Sequence, residues 1–160
     1  MPHKLPAVGD RAPDFSLPAS DGSTVHLAVL LGRKPIVLYF YPKADTPGCT
    51  TQACGFRDAM SQFKKASIPV FGISPDPIEK VRKFAGKFKL NFPLLADADH
   101  AVAERYGVWQ EKSMYGRKYM GIARTTFLIA PDGRIRTVLE KVKPAGHEQE
   151  VWNLLQVDHF

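Results

Sequence analysis

Ile36-Val-Leu-Tyr-Phe40 is followed by Tyr41-Pro42-Lys-Ala-Asp-Thr46-Pro-Gly48-Cys49-Thr-Thr-Gln52-Ala-Cys54, which carries both cysteines of the chain. The apolar run reads as a buried strand. Residues 49–65 read as a helix, with Ala53, Phe56, Met60 and Phe63 at helical spacing, so Cys49 falls in its first turn. Free backbone N–H groups and the helix dipole favour an anion there, and a thiol so placed ionises more readily than free cysteine. A thiolate at neutral pH is a nucleophile.

The spacing of the pair constrains what it can do. On one continuous helix the two Cα atoms lie about 8.6 Å apart, beyond the roughly 7 Å that a disulfide tolerates. The sulfurs meet only if that turn unwinds. The spacing also differs from the thioredoxin motif, whose cysteines are separated by two residues. It suits a cycle in which Cys49 is oxidised to a sulfenic acid and then condenses with Cys54. The residues alone leave a second reading open, that of two buried, inert cysteines on a core-facing helix.

Outward from this stretch, residues 1–13 are Pro-rich and read as an irregular arm. Phe15-Ser-Leu17 and Thr24-Val-His-Leu27 flank Asp21-Gly22 as a hairpin. Pro69–Ser74 is a second buried strand. Ile78, Val81, Phe84, Ala85 and Phe88 mark an amphipathic helix opened by Pro77. A short strand at 94–96 precedes a helix over 99–106 that stops at Gly107. Thr125–Ala130 and Ile135–Leu139 bracket Pro131-Asp-Gly133 as a hairpin, and a last helix spans 147–156. Parallel strands joined by helical crossovers, extended by antiparallel ones, predict an α/β fold: a mixed sheet with helices on both faces, in one domain over 1–160.

The 160 residues are 44% hydrophobic and 24% charged, the range of a soluble globular domain. No run is long enough for a transmembrane helix. The N-terminus lacks the features of a secretion signal, which points to the cytoplasm. In that reducing setting a close cysteine pair is redox-active or metal-binding more often than a structural staple. The formal charge of +6 invites a nucleic-acid reading. However, Lys64-Lys65, Arg82-Lys83, Arg117-Lys118 and Lys141/Lys143 are scattered, with no aromatic–basic stripe, and fit a solvated basic surface.

The five histidines, His3, His26, His100, His147 and His159, show no metal-ligand spacing and are expected at the surface or at helix caps. No glycine loop suited to phosphate is present. Asp97 and Asp99 are expected to cap a helix. Trp109, Tyr115 and Tyr119 are expected in core or interface packing.

Residues 39–58 resemble the active-site segment of peroxiredoxins, and most closely the Q-type group, the bacterioferritin comigratory proteins. Pro42-x-x-x-Thr46-x-x-Cys49 is similar to the family's catalytic pattern, and Thr46-Pro-Gly-Cys49-Thr with Cys54 five residues on is similar to the Q-type variant. Ala12-Pro-Asp-Phe-Ser-Leu17, Phe71-Gly-Ile-Ser74, Tyr106-Gly-Val-Trp109 and Arg124-Thr-Thr-Phe-Leu-Ile129 extend the resemblance over nearly the whole chain. Two positions depart from it, Gln52 and Ala44, where relatives often carry acidic residues; neither is catalytic in the family.

The resemblance implies a thioredoxin-like fold with an added N-terminal hairpin. It implies a thiol peroxidase acting on hydrogen peroxide and organic hydroperoxides, with Cys49 peroxidatic and Cys54 resolving. Arg124 would stabilise the thiolate and orient the peroxide, Thr46 would hydrogen-bond either, and Pro42 would shield the pocket. Backbone N–H groups at Gly48 and Cys49 would complete the substrate-binding donors. No metal, haem or flavin cofactor is implied. Thioredoxin is the implied reductant, with glutaredoxin the alternative, and a monomer is expected, without nucleic-acid or membrane partners. A redox-sensing adaptor using the same disulfide switch is the alternative function. A nucleic-acid-binding module and a protein dithiol–disulfide oxidoreductase are weaker rivals.

Overall fold

A computed structural model describes residues 4–157; the first three residues of the N-terminal arm, His3 among them, and His159 lie outside that span. Strands β1 (Ser16–Pro18) and β2 (Thr24–His26) pair as the expected hairpin, and the short helix α1 (Leu27–Leu30) follows. Then come β3 (Ile36–Phe40), α2 (Pro47–Lys65), β4 (Val70–Ser74), α3 (Ile78–Lys87), β5 (Leu94–Ala96) and α4 (Ala101–Arg105). Strands β6 (Trp109–Met114), β7 (Arg117–Ile122), β8 (Thr125–Ile129) and β9 (Ile135–Leu139) precede helix α5 (His147–Val157).

The central sheet has the order β5-β4-β3-β8-β9. Strands β3, β4 and β5 are parallel, crossed by α2 and α3, while β8 and β9 run antiparallel. Parallel strands need both faces covered, and β3, β4, β5 and β8 are buried at every residue. Alternation along β3 assigns the faces. Ile36, Leu38 and Phe40 meet the side packed by the β1–β2 hairpin, α1 and α4. Val37 and Tyr39 meet the side packed by α2, α3 and α5. This is the mixed sheet with helices on both faces expected of a thioredoxin-like fold with an N-terminal hairpin.

The β3–β8 register sets the location of the site. Phe40 pairs with Thr125, so the end of β3 lies beside the start of β8. The loop that leaves β3 for α2 therefore runs next to Arg124, the residue before β8.

Besides the short helix α1, which was not expected, three features differ from the sequence expectation. Helix α2 opens at Pro47, two residues early, because proline at the first helical position lacks only an N–H that would go unused. Helix α4 is shorter than 99–106 because His100, at φ 51°, is its N-cap, with Asp97 and Asp99 bonding its first N–H groups from outside. Asp97 accepts from the N–H groups of Val102 (3.2 Å) and Ala103 (2.8 Å), and Asp99 from that of Ala101 (3.2 Å).

The β6–β7 hairpin was not expected at all. Its two-residue turn, Tyr115-Gly116, has positive φ at both residues (52° and 78°). That conformation favours Asn or Asp at the first position, so tyrosine conceals it. The outer hairpin also faces water on both sides, with Met114, Tyr119 and Met120 exposed, so no polar–apolar alternation marks it. Trp109 at its base packs as expected, stacked on His100 at 4.0 Å, whereas Tyr115 at the tip is 98% exposed. Among the described residues no helix is long and apolar enough to cross a membrane.

Candidate active site

Pro47, Gly48 and Cys49 open α2, with Thr46 as its N-cap in an extended conformation. The first ladder bond runs from the Thr50 N–H to the Thr46 carbonyl at 2.8 Å. Proline has no N–H, so the Gly48 and Cys49 N–H groups are the donors left at the positive end of the helix. Cys49 itself, in this first turn, is only 1% exposed.

Arg124 reaches this point from the far side of the chain. Its Nη2 lies 3.3 Å from Cys49 Sγ, and its Nη1 donates to Gln52 Oε1 at 2.6 Å. The Val142 N–H donates to the Arg124 carbonyl at 3.2 Å and ties down its backbone. Gly48 leaves room for the guanidinium: a Cβ there would stand 3.3 Å from Nη2 and 3.3 Å from Pro144 Cγ. A cation with fixed geometry thus faces a sulfur at a helix N-terminus, an arrangement that offers donors to an oxyanion developing beside it.

Thr46 and Pro42 lie in the adjoining loop. The Thr46 hydroxyl donates to the Lys43 carbonyl at 2.8 Å, and makes no side-chain cap to α2. Pro42 is half-buried behind buried Tyr41. Two further contacts hold the loop. Asp76 accepts from the Ala44 N–H at 2.7 Å, and Asp45, at φ 61°, pairs with Lys87 at 2.9 Å.

Cys54 stands half-buried on the same unbroken helix, and both thiols are free. The turn after it is crowded: a Cβ at Gly55 would come within 2.5 Å of Glu148 Oε2. The N-terminus of α5 therefore presses directly on α2 beyond Cys54.

The burial of two residues was not expected from the sequence, where Gln52 was noted only as a departure from the family pattern and His147 as a surface or cap residue. Gln52 is fully buried, and its amide nitrogen has no hydrogen-bond partner. Its place three residues after Cys49, on one helical face, was the available signal. His147, expected at the surface or a cap, is instead buried. Its Nε2 lies 2.7 Å from Thr126 Oγ1, its Nδ1 lies 2.9 Å from Glu150 Oε1, and its ring meets Phe56 edge-on. Burial pushes its pKa below the usual histidine value, although Glu150 and Glu148 oppose the shift. Tyr39 and Tyr41 are buried below the site, and burial holds both phenols protonated. Among the described residues no cluster suited to a metal ion is present.

The AhpC/TSA family pattern matches residues 8–138. Peroxiredoxin Bcp of Escherichia coli is 52% identical over 148 residues, covering 92% of this chain and 94% of its own length. Among solved structures, a cysteine-to-serine variant of Xylella fastidiosa PrxQ superposes with a TM-score of 0.91 at 33% identity, covering 98% of this chain and 99% of that one. The bacterioferritin comigratory protein of Xanthomonas campestris, described for its alkyl peroxide reduction activity, gives a TM-score of 0.83 at 37% identity, with 89% and 90% of the two chains covered.

Proposed function

The chain belongs to the AhpC/TSA family, and on that premise we propose that it is a thiol peroxidase reducing hydrogen peroxide and organic hydroperoxides through Cys49. The observation that carries this reading is the Arg124 guanidinium 3.3 Å from a sulfur at the N-terminus of α2.

Cys49 attacks, as the thiolate, the terminal oxygen of the peroxide. The S–O bond forms as the O–O bond breaks. Sulfur is oxidised to the sulfenic acid, and the leaving hydroxide or alkoxide takes up a proton and departs as water or alcohol. Arg124 offers donors both to the thiolate and to the oxygens that gain charge. The Gly48 and Cys49 N–H groups add donors on the helix side, and the Thr46 and Pro42 loop walls the approach.

Cys54 then displaces the sulfenic hydroxyl, water leaves, and a disulfide joins residues 49 and 54. With both cysteines on one helix, their Cα atoms about 8.6 Å apart, this step requires the first turns of α2 to unwind. An external dithiol, by family resemblance a thioredoxin, takes over the disulfide and restores both thiols. The reacting centre is the protein's own sulfur, and the chain works as a cytoplasmic monomer.

The test is peroxide consumption coupled to thioredoxin, thioredoxin reductase and NADPH. Wild type should turn over and Cys49→Ser should not. Equal turnover in the two proteins would overturn the reading.

A further inference from the structure

A second cation on the β6–β7 hairpin is held against the segment that leads to Arg124. Lys112 stands on β6 opposite Tyr119. Its side chain lies over Gly121, where a Cβ would stand 3.2 Å from Lys112 Cδ, and its Nζ donates to the Ile122 carbonyl at 2.6 Å. Ile122 is two residues before Arg124, whose Nη2 touches Cys49. The hairpin thus carries an ammonium back to the segment that holds the catalytic guanidinium. Among the described residues no carboxylate pairs with Lys112. Its neighbour Glu111 points to the opposite face of the strand and pairs with Lys118 at 3.6 Å.

A lysine at an ordinary surface extends its ammonium into water. Here it is folded back and partly buried. Burial, and then repulsion from Arg124, lowers its pKa, whereas Cys49 opposes the shift. The other titratable groups that face Cys49 and Arg124 do not supply a competing cation. From β3 and the residue after it these are Tyr39 and Tyr41, kept protonated by burial; from α2 there is Cys54; from α5 there is His147, whose burial favours its neutral form.

We propose that Lys112 is a positioning residue for the Cys49 step: its ammonium, anchored on the Ile122 carbonyl, adds positive potential at the sulfur and braces the hairpin against the segment bearing Arg124. This rests on the reading of Cys49 as the reacting thiolate. Coupling between two titrating sites is reciprocal, so a thiolate that favours the charged ammonium is favoured by it to the same extent.

The test follows the alkylation of Cys49 by iodoacetamide against pH, in a Cys54→Ser background. Lys112→Met keeps the stem over Gly121 and removes the charge. It should move the acid limb of the rate to higher pH, lowering the rate on that limb about threefold, a shift of about half a pH unit. Lys112→Arg should restore most of the loss. An acid limb unmoved in the methionine variant, or moved equally by arginine, would overturn the proposal. A second measurement leaves Lys112 in place: NMR titration of its side chain should show the proton lost at lower pH in Cys49→Ser than in wild type. An unchanged midpoint would overturn the proposal equally. Neither experiment uses a peroxide, so failure here is distinguishable from failure of the peroxidase reading.

Discussion

Arg124 holds its Nη2 3.3 Å from the sulfur of Cys49, 75 positions earlier in the chain. The β3–β8 register produces this contact, by setting the end of one strand beside the start of the other. Arg124→Ala should slow oxidation of the reduced protein by about 10²-fold, the scale of losing one preorganised donor. Arg124→Lys should recover only part, because an ammonium does not reproduce the planar fork. Stopped-flow measurement of the oxidation rate checks this; an unchanged rate in the alanine variant would make Arg124 a bystander.

Gln52 fixes the other arm of the same guanidinium at 2.6 Å. Gln52→Leu retains bulk but removes the acceptor, leaving Arg124 free to turn away. The oxidation rate should fall about 10-fold or more, since small misplacements of a catalytic group cost this much. Unfolding free energy should change little, because removing the buried, unpartnered amide nitrogen offsets the lost bond from Arg124. A lost rate with intact stability separates orientation of Arg124 from general damage; an intact rate would remove Gln52 from the site.

Helix α2 must open for the disulfide to close. Amide exchange across residues 47–58 should rise when the protein is oxidised, while β3, β4 and β8 remain protected. If a 49–54 disulfide forms and exchange in this segment stays at its reduced level, the unwinding step is wrong.

His147 ties stability to pH. Its folded pKa lies below the unfolded value, first because of burial, with Arg124 adding and with Glu150 and Glu148 opposing. The folded state therefore binds fewer protons than the unfolded one. The contribution is complete above the unfolded histidine pKa of 6.5 and is lost as pH falls from there toward the folded value. Urea unfolding of the reduced protein at about pH 7.5 and about pH 5.5 should show a larger acid loss in wild type than in His147→Gln. Parallel losses in the two proteins would contradict this.

Much of this arrangement could be read from the sequence, and the exceptions have physical causes. The strand at 36–40 and the helix after it were legible because one is apolar throughout and the other carries Ala53, Phe56, Met60 and Phe63 at helical spacing. Arg124 was reached only by family resemblance, since no local pattern reveals a partner 75 residues away. The β6–β7 hairpin stayed hidden because its turn uses tyrosine and its outer strands are wet on both faces. That concealed Lys112 as well. His147 was misplaced because two of its contacts, Thr126 and Phe56, come from different elements.

The central claim is that Cys49 takes the peroxide oxygen and Cys54 removes it. Intact mass after one equivalent of hydrogen peroxide tests both halves together. Wild type should lose two hydrogens through a cross-link between residues 49 and 54. Cys54→Ser should instead gain one oxygen at Cys49, trappable by a sulfenic-acid reagent, and Cys49→Ser should not react. A wild type that gains oxygen without cross-linking, or a Cys49→Ser protein oxidised as fast as wild type, would contradict the account.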